Sequence, residues 1–265
     1  MTQGATRSVM MTRMAGDVRV RVENGVAVIE VSNPATRNAM DLAISLKLVE
    51  AVDAVVADAG VGAVVVTGEA PSFCAGANLE ELKASTEAGL REVYAGFLAV
   101  ASCPLPTLAA VNGPAVGAGL NLALACDVRL AGPRALFDAR FMQIGLHPGG
   151  GYTWMAHRAI GPQATAAITL FGDALDAADA ERVGLVWRRY DTDEELLSAT
   201  MKLAGRAAAA PRAVVTGTKA TMRVTAGAIA HADAVEIEVR AQAETARSDE
   251  FRTRIDALQA RIRRS

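Results

Sequence analysis

The stretch 107-TLAAVNGPAVGAGLNLALACD-127 runs from a β-prone segment through a turn of small residues into an apolar helix entered at about Gly117 to Gly119. A helix entered this way leaves its first backbone N–H groups without intrahelical acceptors, and the aligned peptide dipoles add partial positive charge there. An anion, or an oxygen on which negative charge develops, is stabilised at such a place. A second junction, 71-PSFCAGANLEEL-82, follows the buried-strand run 63-AVVVTG-68 and opens a short helix with Asn78, Glu80 and Glu81 in its first turn. Two convergent backbone donors suit enolate or tetrahedral thioester chemistry, where losing one donor typically costs about 10²–10³ in rate. Either turn alone also reads as a tight strand-to-helix connection; together they are more informative. A phosphate-binding reading fits less well. The segment lacks the Lys-Ser/Thr of a P-loop, and Asn121 and Leu122 follow Gly119 where a dinucleotide fingerprint needs a third glycine.

Outward from these turns, 17-DVRVRVENGVAVIEV-31 alternates as two strands joined at Asn24-Gly25, a strong hairpin signal. Residues 41–58 place Leu42, Leu46, Val49, Val52, Val55 and Val56 at helical spacing ahead of the strand at 63–68. A helix over 87–101 and strands at 105–113 and 126–132 continue the cadence, which implies crossover connections and an α/β layered core over residues 17–192. From Asp193 the pattern becomes successive amphipathic helices, punctuated by Pro211, to residue 265. Residues 1–16 hold Met1, Met10, Met11 and Met14 without a continuous apolar core, and read as a flexible leader rather than a signal.

The 265 residues carry a formal net charge of -2, which offers no electrostatic footprint for nucleic acid. The arginines gathered near the C-terminus are interspersed with Asp and Glu and read as a solvated helix face. No run approaches the eighteen apolar residues of a membrane span, so no membrane insertion is expected. Cys74, Cys103 and Cys126 are odd in number, without CxxC or His at metal spacing. Neither a disulfide framework nor a metal site is expected, and the cytoplasm is the natural compartment.

The segments 73-FCAGANL-79 and 111-VNGPAVGAGLNLALACD-127 resemble the two signatures of the enoyl-CoA hydratase/isomerase (crotonase) superfamily. The likeness extends to 33-NPATRNAM-40, to 160-IGPQATAAITLFGDALDAADAERVGLV-186 and to the helical C-terminus. The resemblance implies a crotonase-like spiral of ββα units with a C-terminal helical trimerisation region, forming a homotrimer or a dimer of trimers. It implies an acyl-CoA thioester as partner, with coenzyme A entering as part of the substrate and no separate cofactor. By position, the oxyanion donors are the N–H groups of Ala77 and Ala118, and acyl-CoA contacts fall on Ala75, Ala77, Asn78, Leu79, Glu80, Ala118 and Phe141.

The same alignment departs from a hydratase at the two positions where the family carries glutamates, which here are Asn121 and Phe141. Asn can orient a water or a thioester but cannot take a proton, and Phe can do neither. The most fitting name is still enoyl-CoA hydratase, with weak or absent hydration. The alternatives are another enolate chemistry (isomerisation, decarboxylation or thioester hydrolysis) or a non-catalytic acyl-CoA carrier. Replacement acid-base groups are sought at Asp138 and His147, which flank Phe141. Each also has a plainer reading: Asp138 as a helix N-cap, His147 as a loop residue in 146-LHPGGG-151, and Asn121 as a buried polar group satisfied by backbone. Trp154, Met155 and Met142 could line an acyl pocket but more simply pack in the core.

Overall fold

The computed structural model describes residues 7–8, 16–227 and 230–262. Of the leader expected over 1–16, only Arg7, Ser8 and Gly16 fall within them; the rest lies outside the described residues. The chain divides into two compact units, Met1–Ala208 and Ala209–Ser265.

The first unit opens with β1 (Arg7–Ser8), β2 (Asp17–Glu23), β3 (Val26–Ser32), α1 (Leu42–Ala57) and β4 (Ala63–Gly68). It continues through α2 (Leu79–Ala84), α3 (Glu87–Ser102), β5 (Thr107–Val111), β6 (Pro114–Val116), α4 (Ala118–Ala125), β7 (Val128–Ala131) and β8 (Leu136–Asp138). It closes with α5 (Tyr152–Leu170), β9 (Leu175–Asp176), α6 (Ala177–Arg182), β10 (Arg188–Arg189) and α7 (Asp193–Ala208). The hairpin turns where its sequence predicts: Asn24 and Gly25 both take positive φ, as a two-residue turn matching strand twist requires.

Seven strands form the main sheet in the order β1-β2-β3-β4-β5-β7-β10, antiparallel up to β3 and parallel from there on. A smaller sheet, β6-β8-β9, stands beside the second Gly-rich turn. The central parallel strands β4 and β5 are buried on both faces, which is why β4 reads as a continuous apolar run. On one face Ile44, Leu48, Phe97 and Leu120 from α1, α3 and α4 share a core with Ile29, Val64 and Val66. On the other, Leu196 and Ala204 of α7 pack with Val28, Val65 and Leu108. That second core explains why the first unit extends to Ala208, beyond the boundary expected after residue 192.

The second unit comprises α8 (Arg212–Thr225), α9 (His231–Thr245) and α10 (Asp249–Ile262). Its arginines pair locally, Arg252 with Asp249 and Arg254 with Glu250, at exposed positions. These pairs fit a solvated helix face. Among the described residues, no helix is long and apolar enough to cross a membrane.

Candidate active site

The segment 33–40 anchors the first turn. Asn38, buried with φ 61°, accepts from the Asn33 N–H at 2.8 Å and donates to the carbonyls of Glu69 (2.7 Å) and Ser72 (2.8 Å). The following residues then run alongside the turn. Met40 N–H donates to Gly76 O at 2.7 Å, and Asn78 N–H donates to Met40 O at 2.8 Å, forming a parallel bridge between Met40 and Ala77. In a parallel bridge the flanking residues make the bonds, so the N–H and carbonyl of Ala77 itself face away from Met40.

On its other side the first turn pairs with β6. Cys74 N–H donates to Pro114 O at 3.1 Å, and Val116 N–H donates to Cys74 O at 3.0 Å. The approach is close enough to need glycine: a Cβ on Gly119 would fall 2.0 Å from the Cys74 carbonyl oxygen. The two Gly-rich turns are therefore built against each other. Gly117 caps α4 and donates its N–H to Asp138 O at 2.9 Å, while Asn121 N–H donates to Gly117 O at 3.0 Å. Helix geometry leaves the N–H of Ala118, in the first turn, without an intrahelical acceptor.

Ala77 and Ala118 both line one cavity of about 240 Å³. Of the other residues expected at the site, Ala75, Asn78, Leu79, Asn121, Phe141 and His147 line it as well. Asn78 also caps α2, its Oδ1 accepting from the N–H groups of Glu80 and Glu81. Phe141 is buried and meets the Tyr152 ring at 5.1 Å between centroids. His147 is exposed at the cavity edge, with Nδ1 2.7 Å from Pro148 O. A carbonyl can only accept, so Nδ1 is the donor in this contact and Nε2 is the ring nitrogen it leaves unused.

Two expected residues stand elsewhere. Glu80 is exposed, pairs with Lys83 at 2.8 Å, and is not in the cavity wall. Asp138 is buried behind the wall, where its Oδ2 accepts from the Arg140 guanidinium, Nε at 2.8 Å and Nη2 closer still, while Oδ1 has no hydrogen-bond partner among the described residues. Asp138 ends β8 and caps no helix, because the short turn of helix that follows begins only at Met142. What reaches the cavity from this pair is Arg140, held at φ 59°. Trp154 neither lines the cavity nor packs in the core; it is 63% exposed beneath the Arg158 guanidinium, 4.3 Å from its ring centroid.

Tyr94, Glu81 and Arg140 are cavity residues that the sequence does not single out. Tyr94 has a usable signal, lying four residues after Leu90 on α3, and both line the cavity. Burial pushes its phenol above the ordinary value. Cys74 is fully buried beside the first turn, and burial pushes its thiol up to about 11, so it is no nucleophile at neutral pH. All three cysteines are buried, and none forms a disulfide among the described residues.

The sequence model of the enoyl-CoA hydratase/isomerase family matches residues 21–262. The Mycobacterium tuberculosis H37Rv protein named "Probable enoyl-CoA hydratase EchA14" is 50% identical over 253 residues, covering 92% of this chain and 98% of that protein. Among solved structures, an enoyl-CoA hydratase from Polaromonas sp. JS666 superposes with a TM-score of 0.86 at 26% identity, over 93% of this chain and 98% of that one. A Thermobifida fusca YX protein crystallised in complex with acetoacetyl-CoA superposes with a TM-score of 0.79 at 28% identity, over 87% of this chain and 95% of that one. The chain belongs to the enoyl-CoA hydratase/isomerase family and has the crotonase fold.

Proposed function

We propose that the chain binds an acyl-CoA thioester and polarises its carbonyl between the N–H groups of Ala77 and Ala118. The observation that carries this reading is that both residues, each with an N–H left free by its own backbone pairing, line one cavity. The acetoacetyl-CoA complex of the Thermobifida relative supports the ligand class. Enoyl-CoA hydratase is the fitting label, and hydration is weak or absent. Asn121 and Phe141 stand where a hydratase needs a carboxylate to activate water and another to exchange a proton at the α-carbon. The titratable side chains that remain in the cavity wall are Glu81, Tyr94, Arg140 and His147. His147, through Nε2, is the base best suited to a different enolate reaction.

A second reading is favoured by Phe141, which brings an apolar ring packed on Tyr152 to the wall in place of a base. In that reading the protein carries an acyl-CoA without turning it over. One panel separates the readings: acyl-CoA thioesters are titrated by calorimetry while product is followed by mass spectrometry. Binding with slow product, abolished in His147→Ala, supports the enolate enzyme. Binding throughout without product supports the carrier, and hydration of crotonyl-CoA at the rate of an efficient hydratase overturns both. The protein assembles as a homotrimer or a dimer of trimers in either case.

A further inference from the structure

Glu81, Tyr94, Arg140 and His147 all line the cavity, and three of them are engaged. Glu81 Oε2 accepts from Leu42 N–H at 3.1 Å, the Arg140 guanidinium holds Asp138, and His147 Nδ1 donates to Pro148 O. The Tyr94 hydroxyl makes no hydrogen bond among the described residues. Its oxygen keeps accessible surface, whereas Oδ1 of Asn121 and of Asp138 is buried. Packing sets where that oxygen stands. The Tyr94 ring leans on Phe97, with centroids 5.5 Å apart, and the oxygen lies so close to Gly149 that a Cβ there would fall 2.2 Å from it. Gly149 O in turn accepts from Asn121 Nδ2 at 2.9 Å, and Asn121 stands one turn along α4 from Ala118. His147 precedes Gly149 by two residues. The phenol, the imidazole and the second backbone donor are thus joined through one short loop.

We infer that Tyr94 is a catalytic acid, delivering a proton to the acyl chain of the bound thioester after His147 has taken one from it. One group that takes a proton and another that gives one, with no carboxylate at Asn121 or Phe141 to activate water, suit moving a proton along the chain rather than adding water. The inference rests on the thioester and enolate reading of the cavity, and it supplies the acid that isomerisation, among the enolate chemistries, requires. His147 Nε2 takes a proton from the α-carbon of a 3-enoyl thioester, the C–H electron pair moves into a C=C bond, and the negative charge passes to the thioester oxygen. The Tyr94 O–H then gives its proton to the γ-carbon, the charge returns from the oxygen to the chain, and the double bond settles between the α- and β-carbons. The phenolate left behind regains a proton from the imidazolium through solvent, so the step needs no oxidant, reductant or co-reactant. Burial holds the phenol above its ordinary value, which keeps it protonated at neutral pH.

The test incubates the full chain with 3-hexenoyl-CoA in D₂O and follows two events by NMR: deuterium entering the α-position of recovered substrate, and formation of 2-hexenoyl-CoA. Wild type is expected to do both. Tyr94→Phe keeps the ring on Phe97 and removes the O–H, so migration of the double bond is expected to fall by about 10²-fold or more, while α-exchange and calorimetric affinity stay as in wild type. Wild type that exchanges the α-proton without moving the double bond overturns the inference, and this arm needs no variant to fold. Migration in Tyr94→Phe at the wild-type rate overturns it too, and so does a parallel loss of exchange and migration, which assigns Tyr94 to positioning. If 3-hexenoyl-CoA does not bind, the thioester reading fails and takes this inference with it; binding without exchange or migration favours the carrier and rejects the acid.

Discussion

Gly119 sets how closely the two turns can approach, so Gly119→Ala is the most damaging small substitution in the site. With its Cβ 2.0 Å from a backbone oxygen, the turns must separate, at a cost of about 3 kcal/mol or more in chemical denaturation. Ala118→Pro asks a narrower question. Proline is tolerated at the first position of a helix, and it removes the N–H while leaving the carbonyl pattern of α4 in place. Calorimetry is expected to find acyl-CoA binding about tenfold weaker, with an unchanged circular dichroism spectrum. Cys74 gives a pH signature. Its thiol has an ordinary value of 9.0 and is held up to about 11 by burial, so its contribution to stability is complete below pH 9 and is lost as pH rises toward 11. The fall amounts to roughly 2 kcal/mol, read from denaturant melts at pH 8.5 and pH 11, and it is smaller in Cys74→Ala. The glycines were legible because backbone geometry leaves few residues that can stand there, and Asn121 through the resemblance to the family's second signature. Asp138 does not reach the cavity although its sequence position puts it near Phe141, because at the end of β8 it is buried with its Oδ2 paired to Arg140.

At the scale of elements, the segment 33–40 holds the first turn in place through a single carboxamide. Asn38 joins the Asn33 N–H to the carbonyls of Glu69 and Ser72. Asn38→Leu leaves three buried backbone groups unmatched and is expected to lower stability by about 2–4 kcal/mol in urea denaturation, with acyl-CoA affinity falling in parallel. The short strands and helices around the turns follow from local signals: Asn24-Gly25 for the hairpin, Asp41 capping α1 through Ile44 N–H, and Asn78 capping α2. The cavity wall beyond the turns was harder to see. Tyr94 and Leu90 sit on an amphipathic helix whose apolar spacing is the same for a residue facing a core as for one facing a cavity. Periodicity reports which face is apolar, not what lies opposite.

For the whole molecule, the sequence marks where strands end but not which helices belong to the sheet. The helix α7 resembles the three helices after it in composition, yet Leu196 and Ala204 bind it to the second face of the sheet. Within the C-terminal unit, Val214, Val239 and Phe251 stay partly exposed around a cavity that Pro211 and Arg254 also line. Apolar side chains left open in this way accord with burial by other copies of the chain. Light scattering of the purified protein is expected to return three or six times the 27.5 kDa chain mass. A monomer at micromolar concentration would contradict the trimeric assembly while leaving the thioester site unaffected.

Polarisation of a thioester carbonyl by Ala77 and Ala118 is read by isotope-edited infrared difference spectroscopy with butyryl-CoA carrying ¹³C at the carbonyl carbon. Two hydrogen bonds weaken the C=O bond, so its stretching band is predicted to move to lower frequency on binding and to move back partway in Ala118→Pro. A saturated complex whose carbonyl band keeps the frequency it has in water would contradict the account.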